Sequence, residues 1–270
     1  MDDINLVLDL LLLSKLSYKN QEEINKFWND KNVNKLKNLY DLCQNVPKFY
    51  QGADGNDCQA YTVTYDKKLI IIFRGTESFR DVIADLNISL SPIHLNMIRF
   101  NHPELEHPMV HKGFNNQYNS IKDKLLCDIE NYIINHEFPE IIVTGHSLGS
   151  GIATIAAFHY CYQYSFPIKC ITFGSPRVGN QLFVDLFNKR IHTSIRYVNE
   201  DDPVTMVPLP IRFRHVNNCR WLHKNNVEND TDKYRWFRFF KNLLCCFCFA
   251  SVPWQDHSCT NYYDDITNYY

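Results

Sequence analysis

Ile4, Val7, Leu8, Leu11 and Leu12 recur at helical spacing, while Asp2, Asn5 and Asp9 fall on the opposite side. That pattern predicts an amphipathic helix that docks by one face, with its early acids at the positive end of the helix dipole. A polar, Lys/Asn-rich helical stretch follows from about Gln21 to Leu42. The period then changes. Ala60 to Tyr65 and Leu69 to Phe73 are short strand patterns joined by Asp66-Lys67-Lys68, which predicts a β-hairpin. Glu140 to Val143, Cys170 to Phe173 and Ile195 to Val198 are short β-branched or aromatic runs, each near a stretch with helical apolar spacing. Buried strands alternating with helices predict an α/β chain whose mostly parallel central sheet is covered by helices. No repeat and no Gly/Ser-rich linker divides the sequence, so residues 1–270 read as one domain with an unassigned aromatic and basic insertion over about 218–253.

Composition narrows the function. With 28 Lys+Arg against 30 Asp+Glu the net charge is −2, which excludes the basic footprint of a nucleic-acid binder. A content of 45% hydrophobic and 14% aromatic residues is that of a chain able to build a core. Ten cysteines in 270 residues are too sparse for a disulfide scaffold, so reduced thiols are expected. The Leu-rich start carries Asp2, Asp3 and Asp9 where a secretory signal needs positive charge, and no apolar run approaches the length of a spanning helix. An intracellular protein, soluble or attached peripherally to a membrane, is the expectation.

Glycine is scarce, nine in the chain, and three of the nine fall within seven residues as Gly145, Gly149 and Gly151. Gly145-His146-Ser147-Leu148-Gly149 follows the strand Ile141-Ile142-Val143 and opens a helix rich in small residues. This is G-x-S-x-G between a strand and a helix. A chance match in this composition is expected about one time in fifty, so the motif outweighs a plain Gly-rich turn. The sharp turn projects the serine hydroxyl from the carboxyl edge of the sheet, and the helix aims its first amides, Leu148 included, at the same point.

A serine hydroxyl is a poor nucleophile unless a histidine takes its proton and a carboxylate orients that histidine. Asp202 follows the strand Ile195–Val198 and precedes Pro203; its neighbour Asp201 is the rival acid. His257 lies in a late turn-rich stretch, with His215 and His223 as rival bases. Spacing alone leaves both choices open.

The chain resembles the class 3 lipases, the α/β-hydrolase family of fungal triacylglycerol lipases and plant acyl hydrolases. Ile72-Phe73-Arg74-Gly75-Thr76, His111-Lys112-Gly113-Phe114, Val143 to Gly149 and Thr172 to Asn180 carry the likeness, in order. Val198 to Val204 is similar to the family's V-N-x-x-D-x-V segment, which puts the triad acid at Asp202 and leaves Asp201 on the variable position. Asp256-His257-Ser258, with Tyr262 five residues after the histidine, resembles the final histidine segment. Phe213 to Asn217 resembles the late strand, although Asn217 replaces a common glycine. The resemblance implies an α/β-hydrolase fold with helices on both faces of the sheet. It implies a Ser147-Asp202-His257 triad and an oxyanion hole made by the amides of Leu148 and Thr76. The expected activity is hydrolysis of lipid esters, acylglycerols or phospholipids, through an acyl-enzyme, without metal or organic cofactor. A catalytically silent lipid-binding or scaffold protein of the same fold and an acyltransferase are the alternatives.

Phe79, Val82, Ile83 and Leu86 stand at i, i+3, i+4 and i+7 with Arg80, Asp81 and Asp85 opposite, a short amphipathic helix. Related fungal lipases place a lid there. Between Tyr234 and Trp254, Arg235, Arg238 and Lys241 are spaced by three among aromatic and aliphatic residues, a pattern that suits adsorption to a membrane or lipid-droplet surface. Cys245, Cys246 and Cys248 in that stretch, beside an amphipathic pattern, suit acylation better than zinc.

Overall fold

Side chains of a strand alternate between its two faces, so a run that is apolar at every position belongs to a sheet covered on both sides. Leu69–Phe73 is such a run, with Ile70, Ile71, Ile72 and Phe73 fully buried. The structure, a computed structural model, describes residues 3–29, 46–52, 58–76, 89–93, 107–200, 202–216, 218–223, 226–229 and 254–269. Eight of its strands form one sheet in the order β1 (Lys48–Gln51), β2 (Gln59–Tyr65), β3 (Lys68–Phe73), β6 (Ile141–His146), β7 (Ile168–Phe173), β8 (Thr193–Asn199), β9 (Cys219–His223) and β10 (Asn226–Asn229). From β3 to β9 every pairing is parallel, and the outer pairings are antiparallel. The short strands β4 (Leu90–Pro92) and β5 (Met109–His111) pair separately.

The expected hairpin is present, paired from Ala60↔Phe73 to Tyr65↔Lys68. Its loop is only two residues, Asp66 and Lys67 with φ of 44° and 62°, a left-handed pair that matches the strand twist. Lys68, expected in the turn, is therefore the first residue of β3.

Helices cover both faces, as the α/β-hydrolase expectation requires. On one face Leu69, Ile71 and Phe73 pack with residues of α3 (Lys112–Ile134), α4 (Leu148–Gln163) and α5 (Gln181–Arg190), among them Phe114, Leu125, Ile152, Phe158 and Phe183. On the other, Ile70 and Ile72 pack with Leu10, Leu11 and Leu13 of α1 (Ile4–Leu16), Ile24 and Trp28 of α2 (Gln21–Asn29), and Tyr262 and Ile266 of α6 (Cys259–Tyr269). Each fully buried side chain of this size stabilises the fold by about 2 kcal/mol relative to exposure.

The buried face of α1 is turned from the one its sequence pattern predicts. Val7 and Leu11 are buried as expected, but Leu10, Leu13 and Ser14 face the core while Ile4, Leu8 and Leu12 are only half-buried, because the helix packs against both the sheet and α6. Asp3 caps it by accepting from the Leu6 amide at 3.3 Å. The insertion expected over about 218–253 opens with two strands, β9 and β10, that extend the sheet. The signal was weak because Arg220 and His223 interrupt the apolar residues of β9, yet the Trp221 and Leu222 side chains are buried. Phe213 to Val216, the stretch resembling a late strand, forms only a bridge between Arg214 and Gly179. Among the described residues no helix is long and apolar enough to cross a membrane.

Candidate active site

β6 ends at His146 and α4 begins at Leu148, so Ser147 alone makes the turn between strand and helix. Its backbone is left-handed, φ 61° and ψ −133°, a strained conformation for a residue with a Cβ. Hydrogen bonds hold it there. The Ser147 amide donates to the Phe173 carbonyl at 3.0 Å, and the Ser150 amide and hydroxyl both donate to the Ser147 carbonyl. A side chain at Gly149 would come within 2.2 Å of the Phe73 carbonyl, so the turn can lie against the end of β3 only with glycine there. Ser147 Oγ is buried and has no hydrogen-bond partner among the described residues.

β8 ends at Asn199, and Asp202 caps the 3-10 turn Pro203–Met206. Its carboxylate, fully buried, accepts from the Val204 amide at 2.9 Å and from the Tyr262 hydroxyl at 2.7 Å. The His257 ring meets the same carboxylate, Nδ1 lying 3.0 and 2.9 Å from its oxygens. A carboxylate only accepts, so His257 Nδ1 is the donor and the neutral ring keeps its lone pair on Nε2. Room for the pair comes from Gly174, φ +59°, where a Cβ would lie 2.8 Å from Asp202 Oδ2 and 3.1 Å from the His257 ring. Gly174 follows Phe173, the residue that anchors Ser147, so the three side chains gather at the carboxyl edge of β6, β7 and β8.

Of the oxyanion candidates, Leu148 is the first residue of α4, where amides lack helical acceptors. Thr76 lies two residues past Arg74, whose carbonyl carbon would be 2.7 Å from a Cβ on Gly149. Leu148 thus adjoins Ser147 directly, and Gly75, the residue before Thr76, would place a Cβ 2.7 Å from the His146 carbonyl, so the chain leading to Thr76 runs against the strand end that carries the serine. The lid candidates Phe79, Val82, Ile83 and Leu86 lie outside the described residues, as do Asp201 and the Tyr234–Pro253 stretch with Cys245, Cys246 and Cys248. The rival histidines are engaged elsewhere. His215 Nε2 lies 2.7 Å from the Thr205 carbonyl, and His223 pairs with Glu200 at 2.6 Å with its ring stacked on Trp221. Among the described residues no cluster of His, Cys, Asp or Glu could hold a metal ion.

Sequence reasoning missed several neighbours of this site. Tyr262 had a place in the family likeness but no role; it donates to Asp202 and accepts from the Asn199 amide at 2.9 Å, tying α6 to the end of β8. His146, a variable position of the serine motif, stacks on His257 with ring centroids 4.5 Å apart. Tyr18, just past α1, places its hydroxyl 2.8 Å from His146 Nδ1. Nothing in the sequence marks Tyr18, one of 16 tyrosines and 128 positions from its partner.

The chain is 29% identical over 175 residues to a secreted mono- and diacylglycerol lipase of Fusarium solani, covering 63% of this chain and 49% of that protein. It is 32% identical over 155 residues to the chloroplastic phospholipase A(1) DAD1 of Arabidopsis thaliana, covering 53% and 34%. It thus spans half or less of the length of these curated relatives. Its fold superimposes on the triacylglyceride lipase of Rhizomucor miehei with a TM-score of 0.68 at 25% identity, covering 83% of this chain and 81% of that one. The family model described as lipase (class 3) matches residues 70–211, a span that runs from β3 past Ser147 and Asp202 and takes in more than half of the sequence. This chain belongs to the class 3 lipase family.

Proposed function

We propose that the protein hydrolyses carboxylic esters of lipids through an acyl-enzyme on Ser147. The observation that carries this reading is the buried Asp202–His257 pair at the strand ends beside a strained serine turn. Ser147 Oγ attacks the ester carbonyl carbon as His257 Nε2 takes its proton. Asp202 holds the ring in the required tautomer and stabilises the imidazolium. The amides of Leu148 and Thr76 donate to the oxyanion as the carbonyl oxygen gains charge. His257 then returns the proton to the departing alcohol, and water repeats the sequence to release the acid. The acylglycerol and phospholipid activities named for the relatives support lipid esters as the substrate class.

A fluorophosphonate probe tests the nucleophile. It should label the native protein and leave Ser147→Ala unlabelled, and label persisting on the alanine variant would overturn the assignment. Fatty acid released from acylglycerol emulsions or phospholipid vesicles then separates the substrate classes.

Tyr262→Phe removes one donor from the Asp202 carboxylate and one acceptor from the Asn199 amide, both buried. Loss of a charge-assisted hydrogen bond at this position is expected to lower kcat about tenfold with KM little changed. Steady-state kinetics on a soluble short-chain ester would check it.

A further inference from the structure

The main-chain carbonyl of His257 can only accept, so the 2.7 Å contact from His146 Nε2 is a donated hydrogen bond. His146 is buried, and that burial, reinforced by the neighbouring His257, pushes its pKa well below the ordinary imidazole range. The ring is therefore neutral and carries one proton, on Nε2. Nδ1 is left with a lone pair, and the Tyr18 hydroxyl 2.8 Å away donates to it. One proton arrangement alone satisfies both contacts.

We propose that Tyr18 is a positioning residue that locks His146 in its Nε2–H tautomer, and that His146 in turn holds the His257 segment beneath the serine turn. The inference rests on the hydrolase reading, in which His257 gains and loses a proton on every cycle while its backbone must stay in place. His146 restrains that backbone through the carbonyl and supports one face of the His257 ring, stacked at 30°. Without the Tyr18 donor the Nδ1–H tautomer becomes accessible. It turns a nitrogen lone pair toward the His257 carbonyl, and the restraint becomes a repulsion.

The surroundings are built for this contact. Tyr18 is delivered by α1, which is fastened by the Tyr61 hydroxyl donating to the Leu13 carbonyl at 2.5 Å and by Lys15 Nζ donating to Thr260 at 3.0 Å. A Cβ on Gly75 would come within 2.2 Å of the Tyr18 hydroxyl, so the glycine preceding Thr76 is what admits the tyrosine. The amino-terminal helix, outside the 70–211 span of the family match, thereby reaches the catalytic histidine.

Three measurements test the lock. In native protein labelled with 15N-histidine, His146 should show a protonated Nε2 and an unprotonated Nδ1. Tyr18→Phe should bring in the Nδ1–H form and lower kcat about tenfold, with KM unchanged. In a His146→Gln background the amide donor needs no tautomer, and the same Tyr18→Phe change should cost about twofold or less. A proton on Nδ1 of His146 in the native protein overturns the proposal, whether or not the variant folds. So does an equal loss of kcat in both backgrounds, the mark of a merely structural tyrosine. Native protein that shows the Nε2–H form but takes no fluorophosphonate at Ser147 would overturn the hydrolase reading, and the kinetic role with it. Labelling with the wrong tautomer would overturn the lock alone.

Discussion

Asp202→Asn is expected to lower kcat by about 10⁴ while leaving the fold intact. Three donors converge on the Asp202 carboxylate, namely the Val204 amide, the Tyr262 hydroxyl and His257 Nδ1–H. An asparagine of the same shape offers one acceptor and one amide. The Val204 amide cannot reverse its role, so the asparagine oxygen turns to it at the Oδ1 position. The asparagine NH2 then faces Tyr262 and His257. Tyrosine adapts by rotating its hydroxyl to accept. His257 Nδ1 lies 3.0 Å from the Oδ1 position but 2.9 Å from the new NH2, which favours the ring giving up its Nδ1 proton; that moves the proton to Nε2 and removes the lone pair that must receive the Ser147 proton. The loss belongs to the chemistry and not to binding, so KM should hold while kcat and the rate of fluorophosphonate labelling fall together. Circular dichroism and thermal unfolding would establish that the fold survives, and a kcat within tenfold of native would remove Asp202 from the relay.

What could be read before the structure depended on how local each feature is. The serine turn was legible because Gly145, Ser147 and Gly149 are confined to five residues between a strand pattern and a helix pattern, in a chain with few glycines. The β2–β3 hairpin was legible for the same reason, two short strand patterns on either side of a few turn residues. The acid and the histidine were only narrowed. His257 lies 110 residues beyond Ser147 in a chain with eleven histidines, and spacing does not say which of them the topology returns to the sheet edge. The family likeness made that choice, and the geometry that bears on it is the pairing of His257 with Asp202.

Tyr18, His146 and Gly75 show the other limit. Their relation crosses from α1 to β6 and the end of β3, and a single hydroxyl filling the space of a missing Cβ leaves no periodicity to detect. The strands of the 218–253 stretch were missed for a different reason. A strand that carries Arg220 and His223 among its apolar residues has too little contrast to stand out beside the strongly aromatic segment that follows.

Acid should unfold this protein at a higher pH than its carboxylates alone would dictate. His111 and His159 are nearly completely buried, and burial pushes each pKa down to about 4. Unfolded, both titrate near the ordinary imidazole value of 6.5. Above that value neither state binds the proton and full stability is present. As the pH falls from 6.5 toward 4 the unfolded chain takes up protons that the folded one refuses, so stability is progressively lost. Between pH 7.5 and pH 5 the two residues together should remove about 4 kcal/mol, a large part of what holds an ordinary domain. His146, lowered in the same direction, adds to the loss. Asp9 and Asp265, whose pKa values burial raises, oppose it, but they start from the carboxylate range and act mainly at lower pH. Urea midpoints measured from pH 7.5 to pH 5 would give the slope directly. His159 places Nδ1 3.1 Å from the Tyr118 hydroxyl. His159→Gln keeps a polar side chain there but cannot titrate, so it should flatten the slope by about the share of one histidine, near 2 kcal/mol over that interval. An unchanged slope in the variant would mean that His159 is already protonated in the folded state, and that its contact with Tyr118 is made by an imidazolium.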